Sequence, residues 1–398
     1  MLQGLRKAHL GLKLACLAVL AVAGQLVLNQ AAANLGPSHG QGWTIFTPGY
    51  DFWPIWIMDQ LQMQGHNIAW YGAGVSNAWP PPHEVLLAPF GLLDSAGARL
   101  ASILATAALM VFVVSLWSGP PPRPSPQGGG RCGFGSVAWP FLLSAPVFAV
   151  IWVDQLQAAL GLAALSLAVW AQRREKWWLV GIAAAIGMIR ILNAVPVLCI
   201  LLLGGWGKPR QLAVAAGAAA AFMAPLLFVS YLWDPHFITD YVAGLTAYPY
   251  NAAPKVAVLS FGIWGLGLLL IMACAAAMWL VRKDVGRPLD PGRAGLGLGL
   301  TVAIAPLGGL YPAIYTLPAL IRLGQRPGFA AVPWIVAVAP WLVVLVLTPL
   351  LLRTSVGMTL SYVSFIDYGL LVLCYPLLRI PPEERSRPTE SPVASSAA

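Results

Sequence analysis

"RREKWWLVGIAAAIGMIRILNAVPVLCILLLGGWGKPR", residues 173 to 210, decides how this chain is built. Basic residues flank it on both sides: Arg173, Arg174 and Lys176 before, Lys208 and Arg210 after. A single membrane crossing needs about 20 apolar residues, and about 35 lie between these flanks. One arginine, Arg190, stands in the middle. Two helices of about 14 residues, each rising roughly 21 Å, make a shallow hairpin with Arg190 at its tip. One over-long kinked helix is the alternative. Basic residues mark the cytoplasmic side, so the matching flanks favour the hairpin.

The same logic extends along the chain. Of its 398 residues, 59% are hydrophobic and 9% charged, and the mean hydropathy is +0.74. A soluble domain carries about 25% charged residues, so this is an integral membrane protein. Apolar runs recur at about residues 10–31, 96–117, 137–153, 157–171, 177–190, 192–206, 211–232, 257–281, 294–310, 312–321, 329–351 and 356–378. With an interfacial helix after the first span, they predict an all-α polytopic protein of about 11–13 transmembrane or re-entrant helices. The first run is longer than a signal-peptide core and is followed by many like it, so it reads as a span.

Orientation follows from Lys and Arg. With the N-terminus inside, the cytoplasmic side receives Arg6, Lys7, Lys13, Arg123, Arg131, the two flanks above, Arg282, Lys283, Arg287, Arg293, Arg322, Arg326, Arg379, Arg385 and Arg387. The acidic Asp51, Asp59, Glu84, Asp94, Asp154, Asp234 and Asp240 fall outside. Arg99, Arg190, Lys255 and Arg353 are left over. Residues 1–380 read as one membrane domain with both termini cytoplasmic. Within it, 32–95 is the first extracytoplasmic loop and 118–136 a flexible cytoplasmic loop. Residues 381–398 have no apolar periodicity and read as a disordered tail.

The net charge of +9 is spread over these loops and does not point to nucleic acid. The five cysteines show no CxxC, and no HExxH, Walker A or DxD motif is present. A metal site, a metalloprotease and an ATP-driven pump are disfavoured; no cofactor is expected.

Candidate site residues are polar groups where polarity is expensive. Asp51 opens "DFWPIWIMDQLQMQ", an amphipathic stretch suited to lie in the interface. An ordinary loop carboxylate also fits that position, but a carboxylate at the head of an interfacial helix is placed to act as a general base. In "WPPPHEVLLAPFGLL" three prolines stiffen a helix start, and His83 and Glu84 line a site or merely begin the helix. "VDQLQ" puts Asp154, Gln155 and Gln157 at a hairpin turn, either solvated or within a polar network. Arg190, deep in a span, is a natural bidentate partner for phosphate. Lys255 and Arg353 end spans and either reach the same phosphate or snorkel to headgroups. "APLGGLYPAIYTLPAL" breaks a span beside Tyr311 and Tyr315, as broken helices do where they line cavities.

These stretches resemble the polyprenol-phosphate-mannose-dependent mannosyltransferases of glycosyltransferase family 87. The family's "YPP…LLLAPL" matches residues 79–89, with Trp79 where Tyr is usual. Its "GQ-x-N" matches Asp154, Gln155 and Gln157, keeping the first Gln. Its "LKP" falls on Ile189 and Arg190, with Pro196 displaced. Its "SP-x-S-W-x-H-H" falls on "APLGGLY", with Tyr311 near the first His position. The resemblance spans roughly residues 10–350 and implies a GT-C fold in the plasma (inner) membrane, with an extracytoplasmic active site. It implies an inverting hexosyltransferase that moves a sugar, mannose in the family, from a polyprenyl-phosphate donor to a glycan or glycolipid acceptor, among membrane lipids. Asp51 would be the base; Arg190, Lys255 and Arg353 would hold donor phosphate. Trp53, Trp79, His83, Gln155, Gln157, Tyr311 and Tyr315 would line the substrate site. A lipid or glycolipid transporter, or a GT-C enzyme using another lipid-linked sugar, is the rival reading.

The charge partition is directly testable. A cysteine at position 38, in Ser38→Cys, should react with an impermeant maleimide from outside, and Cys132 should be protected until the membrane is opened. Reversed labelling would overturn the orientation.

Overall fold

A computed structural model describes residues 81–119, 140–153, 155–239, 241–242, 263–304, 312–326, 328–339, 342 and 369–378. All regular structure among them is helical. In chain order the helices are α1 (Pro81–Leu87), α2 (Ser95–Ser118), α3 (Ala145–Val153), α4 (Leu156–Arg173), α5 (Trp177–Gly187), α6 (Ile191–Gly204), α7 (Pro209–Trp233), α8 (Ile263–Val281), α9 (Pro291–Ile304) and α10 (Leu317–Gly324). Short 3-10 turns follow α1 at Ala88–Leu92, join α5 to α6 at Met188–Arg190, and precede α10 at Pro312–Thr316.

Among the described residues three helical stretches are long and apolar enough to cross a membrane: Ser95–Ser118, Trp177–Gly204 and Pro209–Trp233. The first and third are single helices. The second, the stretch quoted at the outset, folds back on itself. A straight helix of 28 residues would separate its ends by about 42 Å. Instead, a Cβ on Gly205 would lie 2.9 Å from the Cη2 of Trp177, and Lys208 reaches Glu175 at 3.3 Å. The two arms therefore start and finish at one level. The turn between them is the 3-10 segment, where Arg190 leaves helical geometry at φ −117°, ψ 74°. The 11 residues of α5 rise only about 16 Å, roughly half the ~30 Å hydrocarbon thickness.

Interhelix contacts also collect the basic segments at one end of the bundle. Gln172, at the end of α4, donates to the carbonyl of Arg287 (3.1 Å) and accepts from the amide of Leu289 (3.0 Å). The amide of Gly286 donates to Leu203 at the end of α6 (2.9 Å). Arg322, in the last turn of α10, and Gln325, just after it, donate to Trp117 and Ser118 at the end of α2 (3.2 and 2.6 Å). Asp284 is buried and held by Arg293 through both guanidinium edges, with the Nε contact at 3.1 Å. Removing one member of such a pair strands a buried charge, at a cost of about 3–5 kcal/mol. The described Lys/Arg-rich segments, at 173–176, 208–210, 282–293 and 322–326, thus lie together at one end of the bundle.

Helix α4 is the centre. Fourteen of its 18 residues are buried, and α2, α5 and α6 all pack on it. In α2 the buried face is Ala98, Ser102, Thr106, Met110, Val113, Val114 and Trp117, recurring every three or four residues. Leu100, Leu104, Val111 and Phe112 point out. In the first half of α2 small and hydroxyl side chains thus face protein, while Leu100 and Leu104 face outward. That is the membrane pattern, because lipid is as apolar as leucine and close backbone packing replaces the hydrophobic drive.

The tightest approach joins α5 to α7. A Cβ on Gly181 would fall 1.9 Å from the carbonyl oxygen of Ala215. No flexible atom there can yield. Gly181→Ala should destabilise by at least the ~1–3 kcal/mol of ordinary overpacking, read as a lower melting temperature of detergent-solubilised protein. Gly217→Ala, in α7 with open space around its Cβ position, should leave it unchanged. Equal behaviour of the two variants would refute the close packing.

Candidate functional site

The hairpin tip meets the start of α4. Arg190 lies across Gly161: a Cβ on that glycine would stand 3.1 Å from its Cγ and 3.3 Å from its Cβ. From there the guanidinium reaches the N-terminus of α4, where Nη2 donates to Oε1 of Gln155. The absent Cβ of Gly161 is what lets the arginine stem pass so close to the helix. Gln155 is the N-cap residue of α4, so the guanidinium sits beside the positive end of an 18-residue helix dipole.

Tyr315 closes the other side of the same glycine. A Cβ on Gly161 would be 2.8 Å from its hydroxyl, which donates to the carbonyl of Ala158 (3.3 Å). Tyr315 is 2% exposed and among the largest fully buried side chains. It sits in the Pro312–Thr316 turn, where the sequence predicts a break in a span. Its placement is that of a core residue behind Arg190.

Over the tip lies α1, the product of the triple-proline stretch. Leu87 packs with Leu156 and Ile189, flanked by Phe90, Leu109 and Leu160. His83, 1% exposed, binds the carbonyl of Ala185 at 2.8 Å through Nε2. A carbonyl only accepts, so Nε2 carries the proton there. Ala185 lies in the last turn of α5, and its carbonyl also accepts from the Met188 amide. His83 thus ties α1 down onto the hairpin.

Gln155 and Gln157 are 2% and 1% exposed. The solvated-turn alternative for these two residues therefore falls: they belong to the interior. The Oε1 of Gln157 meets no donor among the described residues, leaving a buried acceptor next to the arginine's end of α4. Below the tip, Asn193 donates to the hydroxyl of Thr301 (2.7 Å) and that hydroxyl donates to Leu298 (2.7 Å). This buried pair fixes α6 on α9.

Of the residues expected at the site, Arg190, Gln155, Gln157, Tyr315 and His83 converge on the junction of α1, α4 and the hairpin tip. Asp51, Trp53, Trp79, Tyr311, Lys255 and Arg353 lie outside the described residues. Glycine 161 was not legible as a site residue; its only signal is that it follows Gln155 on the same helix. Among the described residues no group of three His, Cys, Asp or Glu side chains is placed to hold a metal ion. Chemically, the junction offers a guanidinium and a helix N-terminus in an apolar surround, which is an anion-binding arrangement.

No family model matches the chain, and neither does any curated protein or solved structure.

The notch at Gly161 yields a sharp expectation. Gly161→Ala should push Tyr315 and Arg190 apart and destabilise by about 1–3 kcal/mol. Tyr315→Phe removes the nearer clashing atom. The Gly161→Ala/Tyr315→Phe pair should therefore be more stable than additive effects allow, measured as a non-zero coupling in a thermal double-mutant cycle. Strict additivity would refute the contact.

Proposed function

We propose that this protein is a membrane glycosyltransferase of the GT-C type, resembling glycosyltransferase family 87. It transfers a sugar, mannose by that resemblance, from a polyprenyl-phosphate donor to an extracytoplasmic glycan or glycolipid acceptor. One observation carries the reading: an arginine at the tip of a half-height hairpin, steadied by Gln155 at the N-terminus of α4 and roofed by the apolar helix α1. A lipid-phosphate donor keeps its chain in the bilayer and its phosphate near the polar boundary. A guanidinium held at the tip of a short hairpin can draw such a phosphate in from that boundary, and the apolar surround strengthens the attraction.

In the proposed reaction Asp51 takes the proton of the acceptor hydroxyl. The hydroxyl oxygen attacks the anomeric carbon, the bond to the donor phosphate oxygen breaks, and the configuration inverts. Polyprenyl phosphate departs with the electron pair, its charge stabilised by Arg190, with Lys255 and Arg353 as further candidates. The leaving phosphate is already anionic and stable, so the chain's own cations account for the departure. Of the candidate residues, Gln155 orients the guanidinium, while His83 and Tyr315 act through packing.

The test is transfer of radiolabelled mannose from polyprenyl-phosphate mannose in membranes, compared between variants. Asp51→Asn should lower turnover by about two to four decades, the range for loss of a general base, with donor binding retained. Asp59→Asn, further along the same stretch, should behave as wild type. Arg190→Ala should weaken donor use by about one to two decades, and Arg190→Lys should recover part of it. Wild-type transfer by Asp51→Asn would refute the enzyme and favour a carrier of lipid-linked sugar.

A further inference from the structure

The Lys/Arg-rich end carries a second feature, remote from the hairpin tip. Where α5 and α7 begin, side by side, they enclose a groove of about 460 Å³ lined by Glu175, Trp177, Trp178, Lys208, Arg210 and Gln211. Its chemistry is unlike the apolar faces around it. Two cations and an amide converge on it. Trp177, 4% exposed, also lines it, and the indole Nε1–H has no acceptor among the described residues. Lys208, Arg210 and Gln211 make the groove rich in donors.

The single acid does not cancel the cations. Glu175 pairs with Lys208 at 3.3 Å while staying 58% exposed, and Arg210 is exposed. Arg174 and Lys176 stack on Trp170 at 5.2 and 5.7 Å nearby, so the field at the groove is positive. The backbone is committed to this shape: Glu175 takes a left-handed conformation at φ 57°, which turns α4 directly into α5 and sets the carboxylate at the groove's edge.

The location selects the source of the anion. Trp178 and Trp206 are 54% and 67% exposed at the level where tryptophans mark the membrane boundary. Helix α7 has only 6% of its apolar window buried, so the groove opens beside a lipid-facing surface. We propose that this groove binds the phosphate headgroup of an anionic phospholipid, with Lys208 and Arg210 as donors and the acyl chains along α7. Basic pockets between helices at the cytoplasmic boundary are the setting in which such headgroups are held. This proposal stands apart from the sugar-transfer reading and survives its failure.

Native mass spectrometry of the full chain, released from detergent with added lipid, tests it. Dioleoyl phosphatidylglycerol should be retained over dioleoyl phosphatidylcholine, whose phosphate carries a compensating ammonium. Arg210→Gln, at an exposed position, should lower phosphatidylglycerol retention about fivefold, and Lys208→Gln/Arg210→Gln by roughly 25-fold. Arg282→Gln/Lys283→Gln, at the same end but outside the groove, should leave it unchanged. Equal losses in both double variants would mean diffuse surface attraction and would overturn the site. Lack of preference between the two lipids would overturn it as well. Displacement of phosphatidylglycerol by millimolar inorganic phosphate as readily as by excess lipid would assign the groove to a soluble anion instead. Unchanged melting temperatures in phosphatidylcholine micelles confirm that the variants are folded.

Discussion

A helical hairpin that stops partway through a bilayer must satisfy its own tip. Its turning residues expose backbone groups, and any charge placed there needs polar company. Here that company is the start of α4. Arg190 leaves the helix, crosses Gly161 and bonds Gln155; His83 takes up the carbonyl of Ala185. These contacts let α5 and α6 end where they do, and the rest of the bundle is arranged around them. Besides α5, α1 packs on α7.

The helices are held by two complementary means. Glycines mark the crossing points: between α5 and α7 backbone meets backbone, Gly181 against Ala215, while between α5 and α4 the Leu165 side chain packs onto Gly187. At the basic end the interface is polar. Gln172 bonds both sides of the segment before α9, and the Asp284–Arg293 pair locks that segment's turn. Each neutral bond contributes about 1 kcal/mol, and their value lies as much in fixing register. In lipid, shape and hydrogen bonds decide which faces meet, because apolar contact with a neighbouring helix is hardly better than apolar contact with an acyl chain.

The two ends of the bundle are therefore chemically distinct. One concentrates Lys and Arg, tryptophans and a donor-rich groove. The other presents the Arg190 guanidinium in an apolar recess beneath α1. In the proposed reaction the donor phosphate is received at the second of these ends, and in the proposed lipid site a headgroup is held at the first.

Much of this was legible in the sequence because the bilayer reads it locally. Hydropathy over about 20 residues marks a span, and a Lys or Arg between spans marks a side. The matched basic flanks of residues 173–210 predict a hairpin, and the lone Arg190 predicts a polar tip. Both are found. What the sequence left open was which side chains meet. In a soluble helix the apolar stripe reveals the buried face. In α4 and α5 nearly every face is apolar or small, so rotation about the helix axis leaves no trace in the pattern. Whether Gln155 and Gln157 were solvated, whether Tyr315 lined a cavity, and what Gly161 was for depended on pairings with partners up to 157 residues away. Only the packed helices, where one missing Cβ admits an arginine stem and a tyrosine hydroxyl, decided those questions.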